Sequence, residues 1–140
     1  EYDRTAVLAK LDEAAAKTDD PEVKRALKKM RECTERGNKL LTLSGLRTLP
    51  PEIGQLTNLI WLYLEGNQLT TLPPEIGKLT KLTELQIEKN PLTDTGLEHL
   101  KSLKSLKRLD VRDTKVTKAG VEAFRKALPN CEIKVPRQYP

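Results

Sequence analysis

Residues 59–69, LIWLYLEGNQL, decide the fold of this chain, because their apolar skeleton recurs twice further along the sequence. The second copy spans residues 82–92 and the third spans 106–116, so the period is 23 and then 24 residues. Apolar residues hold the first, fourth, sixth and eleventh positions of each copy. One unit of this size cannot bury its own apolar face, whereas stacked units share a continuous core. The sequence therefore predicts a repeat array.

The three copies match L-x-x-L-x-L-x-x-N-x-L, the consensus of leucine-rich repeats, and the chain resembles that family from about residue 38 to 135. The resemblance implies an α/β fold: a right-handed solenoid with a parallel concave sheet of about five strands and an N-terminal helical cap. The first repeats resemble the intracellular Ras-associated and Roco type, many of them bacterial. The last repeats resemble a type with longer helices that is abundant in planctomycete proteins.

Three segments are expected along the chain: a cap over 1–37, about four repeats over 38–135 with a degenerate first repeat, and a tail over 136–140. Apolar stripes at helical spacing predict cap helices over 3–18 and 21–36. Asp20 and Pro21 suit the start of the second helix, and Gly37 suits its end. An amphipathic cap would cover the open apolar end of the first repeat. A separate helical recognition module is the alternative.

The outer halves of the repeats fall into two kinds. The sequence LPPEIG occurs at 49–54 and again at 72–77, and its paired prolines predict turns and short 3₁₀ segments. Polar starts followed by helical apolar spacing predict true helices over 93–103 and 117–128. Leu128, Cys131 and Ile133 continue the register as positions one, four and six, which predicts a fifth strand at the edge. The proline-containing tail is expected to discourage further pairing there.

Composition restricts the classes of function. The net charge is +5 with 32% charged residues, and many basic residues fall on predicted outer helices, which favours solvated faces over a nucleic-acid site. The longest apolar run has six residues, far below the roughly 20 that cross a bilayer. Two cysteines at opposite ends of the array favour a reducing cytoplasm. We expect a soluble, cytoplasmic monomer that does not interact with membranes.

No pattern in the sequence indicates an enzyme. His99 is the only histidine, and the leucines around it predict that it faces outward. Neither a G-x-S-x-G nor a phosphate-binding loop is present. Cys33, His99 and Cys131 lack the spacing of metal ligands. We therefore expect no catalytic residues, no cofactor and no metal.

Two asparagines are assigned a structural role through the family resemblance. In leucine-rich repeats the consensus asparagine bonds the backbone of adjacent turns, which implies this role for Asn67 and Asn90. Thr114 holds the equivalent place in the next copy, so the series of amide contacts is expected to weaken there.

Residues between the buried leucines are expected on the concave sheet, where equivalent positions of adjacent strands form rows. The predicted rows pair Glu84 with Arg108 and Glu88 with Arg112, opposite charges that could stabilise the sheet. Trp61 stands beside Leu40, either as a binding anchor or as a cross-strand packing partner. The candidate residues for binding a partner are Trp61, Tyr63, Glu84, Gln86, Arg108 and Asp110.

These patterns favour a protein–protein interaction module, a scaffold or adaptor that binds a protein partner on its concave face. The resemblance does not identify that partner. The near-consensus second repeat and the change of repeat type also allow an engineered or truncated repeat scaffold with no evolved ligand. The second alternative is a basic nucleic-acid-binding surface, whose affinity would fall steeply with salt.

Overall fold

A computed structural model describes residues 2–139 of the chain. Its five strands are three residues long each, and they form one parallel sheet in the order β1-β2-β3-β4-β5. The strands are β1 Leu40–Thr42, β2 Trp61–Tyr63, β3 Glu84–Gln86, β4 Arg108–Asp110 and β5 Glu132–Lys134. Because strand order follows chain order, each repeat lies directly beside the next. The predicted α/β solenoid with a parallel five-stranded sheet is confirmed.

The central residue of each strand points into the core, and its two neighbours point to the concave face. The inward side chains of adjacent strands are paired in register: Leu41, Leu62, Leu85, Leu109 and Ile133. The first four of them are at most 4% exposed. This leucine column joins a continuous core that runs from the N-terminal helices to the last repeat.

The register of β5 differs from the prediction by two residues. Ile133 pairs with Leu109 rather than with Val111. The Cys131 N–H donates to the Leu128 carbonyl at 3.1 Å, a turn that recurs one and two repeats earlier. In the preceding repeat Leu106 closes the same turn, and β4 begins two residues after it. By contrast, β5 begins one residue after Cys131. Consequently Glu132 lies beside Arg108 and Lys134 beside Asp110, whereas Asn130 precedes the strand.

The outer layer changes from 3₁₀ segments to α-helices along the array. Pro51–Gln55 and Pro74–Lys78 are 3₁₀ helices, as the paired prolines predict. The expected helix of the last repeat is confirmed as α4, which spans Lys118–Ala127. The helix expected over 93–103 is much shorter, because α3 spans only Asp94–Glu98.

Apolar spacing explains why α3 ends early. Leu97, Leu100, Leu103 and Leu106 are all buried and stand three residues apart. Each of the last three donates its N–H to the carbonyl of the one before, at 3.0 or 3.1 Å. A step of three residues matches the period of a 3₁₀ turn rather than the 3.6 of an α-helix. Tight turns therefore keep these leucines facing the core.

Two helices precede the sheet, α1 at Arg4–Lys17 and α2 at Pro21–Arg36. Asp20 caps α2, and Gly37 ends it with a left-handed φ of 65°, a conformation that favours glycine. The helix α1 packs on α2 and on the first 3₁₀ segment, while α2 also packs on β1. Among residues 2–139, no helix has the length and apolar character needed to cross a membrane.

Concave candidate binding face

The outward residues of the strands form two rows across the concave face. The first row contains Leu40, Trp61, Glu84, Arg108 and Glu132, and the second contains Thr42, Tyr63, Gln86, Asp110 and Lys134. Residues in a row are separated by about 4.8 Å, the spacing of hydrogen-bonded strands. Five of the six candidate residues predicted from the sequence therefore lie on one continuous surface, whereas Asp110 belongs to the second row but is only 6% exposed.

The N-terminal end of this face is apolar. Leu40 is 44% exposed and Trp61 is 39% exposed, and they stand side by side on β1 and β2. Within residues 2–139 they are the only large hydrophobic residues with this degree of exposure. Tyr63 is half-buried. Partial burial raises the pKa of its phenol, and the Glu84 and Glu65 carboxylates raise it further.

The C-terminal half of the face contains a polar groove of about 160 Å³. Leu85 and Leu109 form part of its lining, and charged or amide side chains supply the rest: Glu84, Gln86, Arg108, Asp110, Glu132 and Lys134. The groove thus places positively and negatively charged side chains on neighbouring strands. The register predicted for β5 puts Glu132 in the second row and Lys134 beyond it, and this is wrong: Glu132 lies in the first row and Lys134 in the second.

Neither predicted cross-strand ion pair is present among the described residues. Arg112 instead binds Asp110 on its own chain segment, with Nη2 donating to Oδ2 at 2.6 Å and Nε donating to Oδ1 at 3.0 Å. Glu84 accepts from the Gln86 amide at 2.9 Å. In both contacts the partner lies two residues away along the chain, so the side chains do not have to span the gap to the next strand. Local contacts therefore replace the predicted pairs.

Asp110 and Glu88 form a second charged site at the end of these strands. Burial opposes the charge of Asp110, but the hydrogen bonds from Arg112 hold its pKa below the ordinary value. Burial raises the pKa of the neighbouring Glu88 carboxyl, and the Asp110 and Glu65 carboxylates add to the rise. Glu88 Oε1 is buried and has no hydrogen-bond partner among residues 2–139. This carboxyl oxygen is the unsatisfied acceptor of the face.

Replacing Glu88 with glutamine is expected to stabilise the protein at pH 7. The folded-state pKa of Glu88 lies above its ordinary value, so the ionised form costs stability once the pH exceeds about 4.5 and rises through the folded pKa. A neutral amide removes that cost and can donate to Asp110, a hydrogen bond worth about 1 kcal/mol. The unfolding midpoint in urea, measured at pH 7 and pH 4, should show a gain at pH 7 that shrinks at pH 4.

Glu65→Gln is the matched control, because Glu65 holds the equivalent position one repeat earlier and is exposed. We expect its midpoint to change much less than that of Glu88→Gln. Equal stability of Glu88→Gln and wild type at pH 7 would contradict the assigned cost of the buried carboxylate.

Asn67 lies beneath the turn that follows β2 and is 6% exposed. Its Oδ1 accepts the Leu46 N–H of the preceding repeat at 2.9 Å. Its Nδ2 donates to the Leu43 carbonyl at 3.1 Å and to the Leu64 carbonyl at 2.8 Å. One side chain therefore joins the backbones of two repeats.

Asn90 repeats this arrangement one repeat later. It accepts the Leu69 N–H at 3.0 Å and donates to the carbonyls of Leu64 and Ile87 at 2.9 and 3.0 Å. Thr114 stands in the next turn, and its hydroxyl donates only to the Val111 carbonyl of its own repeat. The side-chain contacts between repeats at this position thus end after Asn90.

No group of three or more His, Cys, Asp or Glu side chains in residues 2–139 is arranged to hold a metal ion. His99 is half-buried at the end of α3. Ser102 and the His99 backbone pack against Gly77 of the preceding repeat.

Short parallel strands in register, leucines pointing inward and asparagines at the turns after β2 and β3 define an α/β repeat solenoid whose exposed sheet forms the candidate site. A family model described as a leucine-rich repeat region matches residues 39–127. The chain therefore belongs to the leucine-rich repeat family. Proteins of this family commonly serve as protein-interaction modules and are typically non-enzymatic scaffolds.

Two similar solved structures are of bacterial proteins. A leucine-rich repeat protein of Leptospira interrogans is 32% identical with a TM-score of 0.68, and the match covers 84% of this chain and 34% of that protein. Internalin C2 of Listeria monocytogenes is 27% identical with a TM-score of 0.59, and the match covers 75% of this chain and 47% of that protein. The chain thus spans a third to a half of the length of these two structures. No curated protein sequence matches it significantly.

Proposed function

We propose that the protein is a protein–protein interaction module that binds a protein partner on its concave face. The observation that supports this proposal most strongly is the exposure of Leu40 and Trp61 next to each other at one end of that face. An exposed pair of large apolar side chains on a surface that is otherwise polar is typical of a contact site.

The composition of the face agrees with the anatomy of protein interfaces. Tryptophan and tyrosine are enriched among the residues that contribute most to binding, and polar groups commonly surround them. Trp61 and Tyr63 provide such a centre, and the groove beyond them supplies carboxylate, amide, guanidinium and ammonium groups. A matching partner would place an apolar side chain on Leu40 and Trp61 and charges of both signs on the groove.

Trp61→Ala is expected to weaken binding of a captured partner by 2 kcal/mol or more, a loss of about 30-fold in affinity. The test is affinity capture from a lysate of cells that produce the protein, with wild type and Trp61→Ala as parallel baits. Calorimetry on the partner recovered by wild type alone then measures the difference in affinity.

Glu122→Ala is the control bait, because Glu122 is exposed on α4, in the outer layer. It should capture the same partner as wild type. A partner that binds wild type and Trp61→Ala equally would remove Trp61 from the site. If no partner distinguishes the baits, the alternative of a repeat scaffold without an evolved ligand gains support.

We also propose that the protein works in a reducing compartment such as the cytoplasm. Cys33 and Cys131 are both buried and both free. They lie near opposite edges of the sheet, beside β1 and β5, so they are not positioned to pair with each other. If the protein is alkylated under denaturing conditions at lysis of its native cells and then purified, mass spectrometry should find both cysteines alkylated.

A further inference from the structure

The edge of the sheet at β1 carries backbone groups that β2 does not use. The Trp61 N–H donates to the Lys39 carbonyl at 3.0 Å, and the Leu43 N–H donates to the Tyr63 carbonyl at 3.1 Å. Backbone groups along a strand alternate in direction, so those of residues 39, 41 and 43 face β2. The N–H and C=O of Thr42 therefore point away from β2, and no described residue of β2 forms a hydrogen bond with them.

The helix α2 runs along this open side and is fastened to the first repeat at both ends. Near its C-terminus, the Cys33 thiol contacts the carbonyls of Asn38 and Leu40 at 3.4 and 3.7 Å. Near its N-terminus, Glu22 accepts the Arg47 N–H at 2.6 Å. The contact with the Leu40 carbonyl shows that the unused side of β1 faces α2.

Between these two attachments a groove of about 560 Å³ separates the helix from the strand. Ala26 and Leu43 are buried and form its floor, while Thr42 and Ser44 form the strand wall. The helix wall carries three basic side chains and one acidic one, namely Arg25, Lys28, Lys29 and Glu32. The strand edge is thus reachable, and the wall opposite it is positively charged.

We propose that this groove binds an extended acidic peptide segment that pairs with β1 as an additional strand. An open strand edge is a template for such pairing, because backbone hydrogen bonds hold the added strand and the surrounding side chains select it. The Thr42 N–H and C=O supply one donor and one acceptor. Arg25, Lys28 and Lys29 would face carboxylates of the incoming segment.

The chemistry of the groove favours a peptide over a nucleic acid. A donor and an acceptor on the same residue complement a peptide backbone, which offers both. Single-stranded nucleic acids are held mainly by aromatic stacking and by cations along the phosphates. No aromatic side chain lines this groove among residues 2–139. The inference is independent of the concave-face proposal, since Trp61 does not line the groove.

The test uses a synthetic heptapeptide of alternating glutamate and valine with blocked ends, added to ¹⁵N-labelled protein. We expect the Thr42 amide resonance to shift on titration and its hydrogen exchange to slow. A peptide with lysine in place of glutamate should produce neither effect. Thr42→Pro removes the edge N–H but leaves the groups of residues 41 and 43 that pair with β2, and it should weaken binding about tenfold. Thr42→Val keeps the N–H and should bind as wild type does.

A second pair of variants tests the charge without altering the strand. Changing Lys28 and Lys29 together to glutamate should abolish the shifts, whereas the same change at the exposed Lys104 and Lys118 should not. Equal binding by Thr42→Pro and Thr42→Val would overturn the proposal. Absence of peptide binding by wild type would also overturn it. So would a loss of binding that occurs only in Trp61→Ala, or tighter binding of an oligothymidylate than of the peptide.

Discussion

Asn67→Ala is expected to lower the free energy of unfolding by about 1–3 kcal/mol, because it leaves buried backbone groups without partners. The Leu46 N–H and the Leu43 carbonyl both lose the hydrogen bond that Asn67 provides. The Leu64 carbonyl keeps a partner, since Asn90 also donates to it. Urea denaturation at pH 7 measures the loss.

The shared carbonyl allows a sharper test. Asn67→Ala combined with Asn90→Ala removes both side-chain donors to the Leu64 carbonyl, so the double variant should lose more than the sum of the two single losses. Thr114→Ala is the matched control from the next repeat, where the hydroxyl contacts only its own turn, and its loss should be smaller. An unchanged midpoint for Asn67→Ala would refute its assigned structural role.

Glu22→Ala is the second change with a large expected effect, because it releases α2 from the first repeat. The Glu22 carboxylate is 8% exposed and accepts three hydrogen bonds: from Arg47 N–H at 2.6 Å, Arg47 Nε at 3.2 Å and Thr48 N–H at 3.4 Å. Losing them leaves two backbone donors unsatisfied and should cost about 1–3 kcal/mol.

The cost of Glu22→Ala should depend on pH. The hydrogen bond from the Arg47 backbone, together with the Arg47 side chain, holds the pKa of Glu22 below its ordinary 4.5 despite burial. A carboxyl with a lowered folded-state pKa stabilises the protein above its ordinary pKa and loses this contribution as the pH falls through the folded value. The difference between wild type and variant should therefore be full at pH 7 and shrink below about pH 4.5.

Glu32→Ala provides the comparison on the same helix, since no hydrogen bond or ion pair of Glu32 is present among residues 2–139. Its midpoint should change little at either pH. If Glu22→Ala and Glu32→Ala were equally stable at pH 7, the Glu22 carboxylate would not fasten the cap.

Strand positions could be predicted because buried leucines fix them. A strand shifted by one residue would turn its leucine to the surface, so the spacing of Leu41, Leu62, Leu85 and Leu109 leaves one register for β1 to β4. The last strand lacks this constraint. Cys131 and Ile133 are both apolar, so either of them could be the inward residue of β5. No residue type indicates that the connection from the preceding turn to β5 is one residue shorter than the connection to β4.

The polar contacts of the face were less predictable for a different reason. Row membership shows which side chains are neighbours but does not show which rotamer each one takes. Arg112 could reach either Glu88 or Asp110, and it binds Asp110, which lies two residues away on its own chain segment. The contact between Glu22 and Arg47 could not be predicted, because Arg47 is 25 residues away and no sequence pattern links it to the helix.

The placement of the single tryptophan determines what optical experiments on this protein report. Trp61 lies on the concave surface and not in the core, so its emission responds to solvent and to any molecule that covers β2. Circular dichroism at 222 nm instead follows α1, α2 and α4, which lie at the two ends of the array. Fluorescence and dichroism recorded on one sample therefore observe different repeats, and any separation of the two melting curves would show directly that the array unfolds in parts.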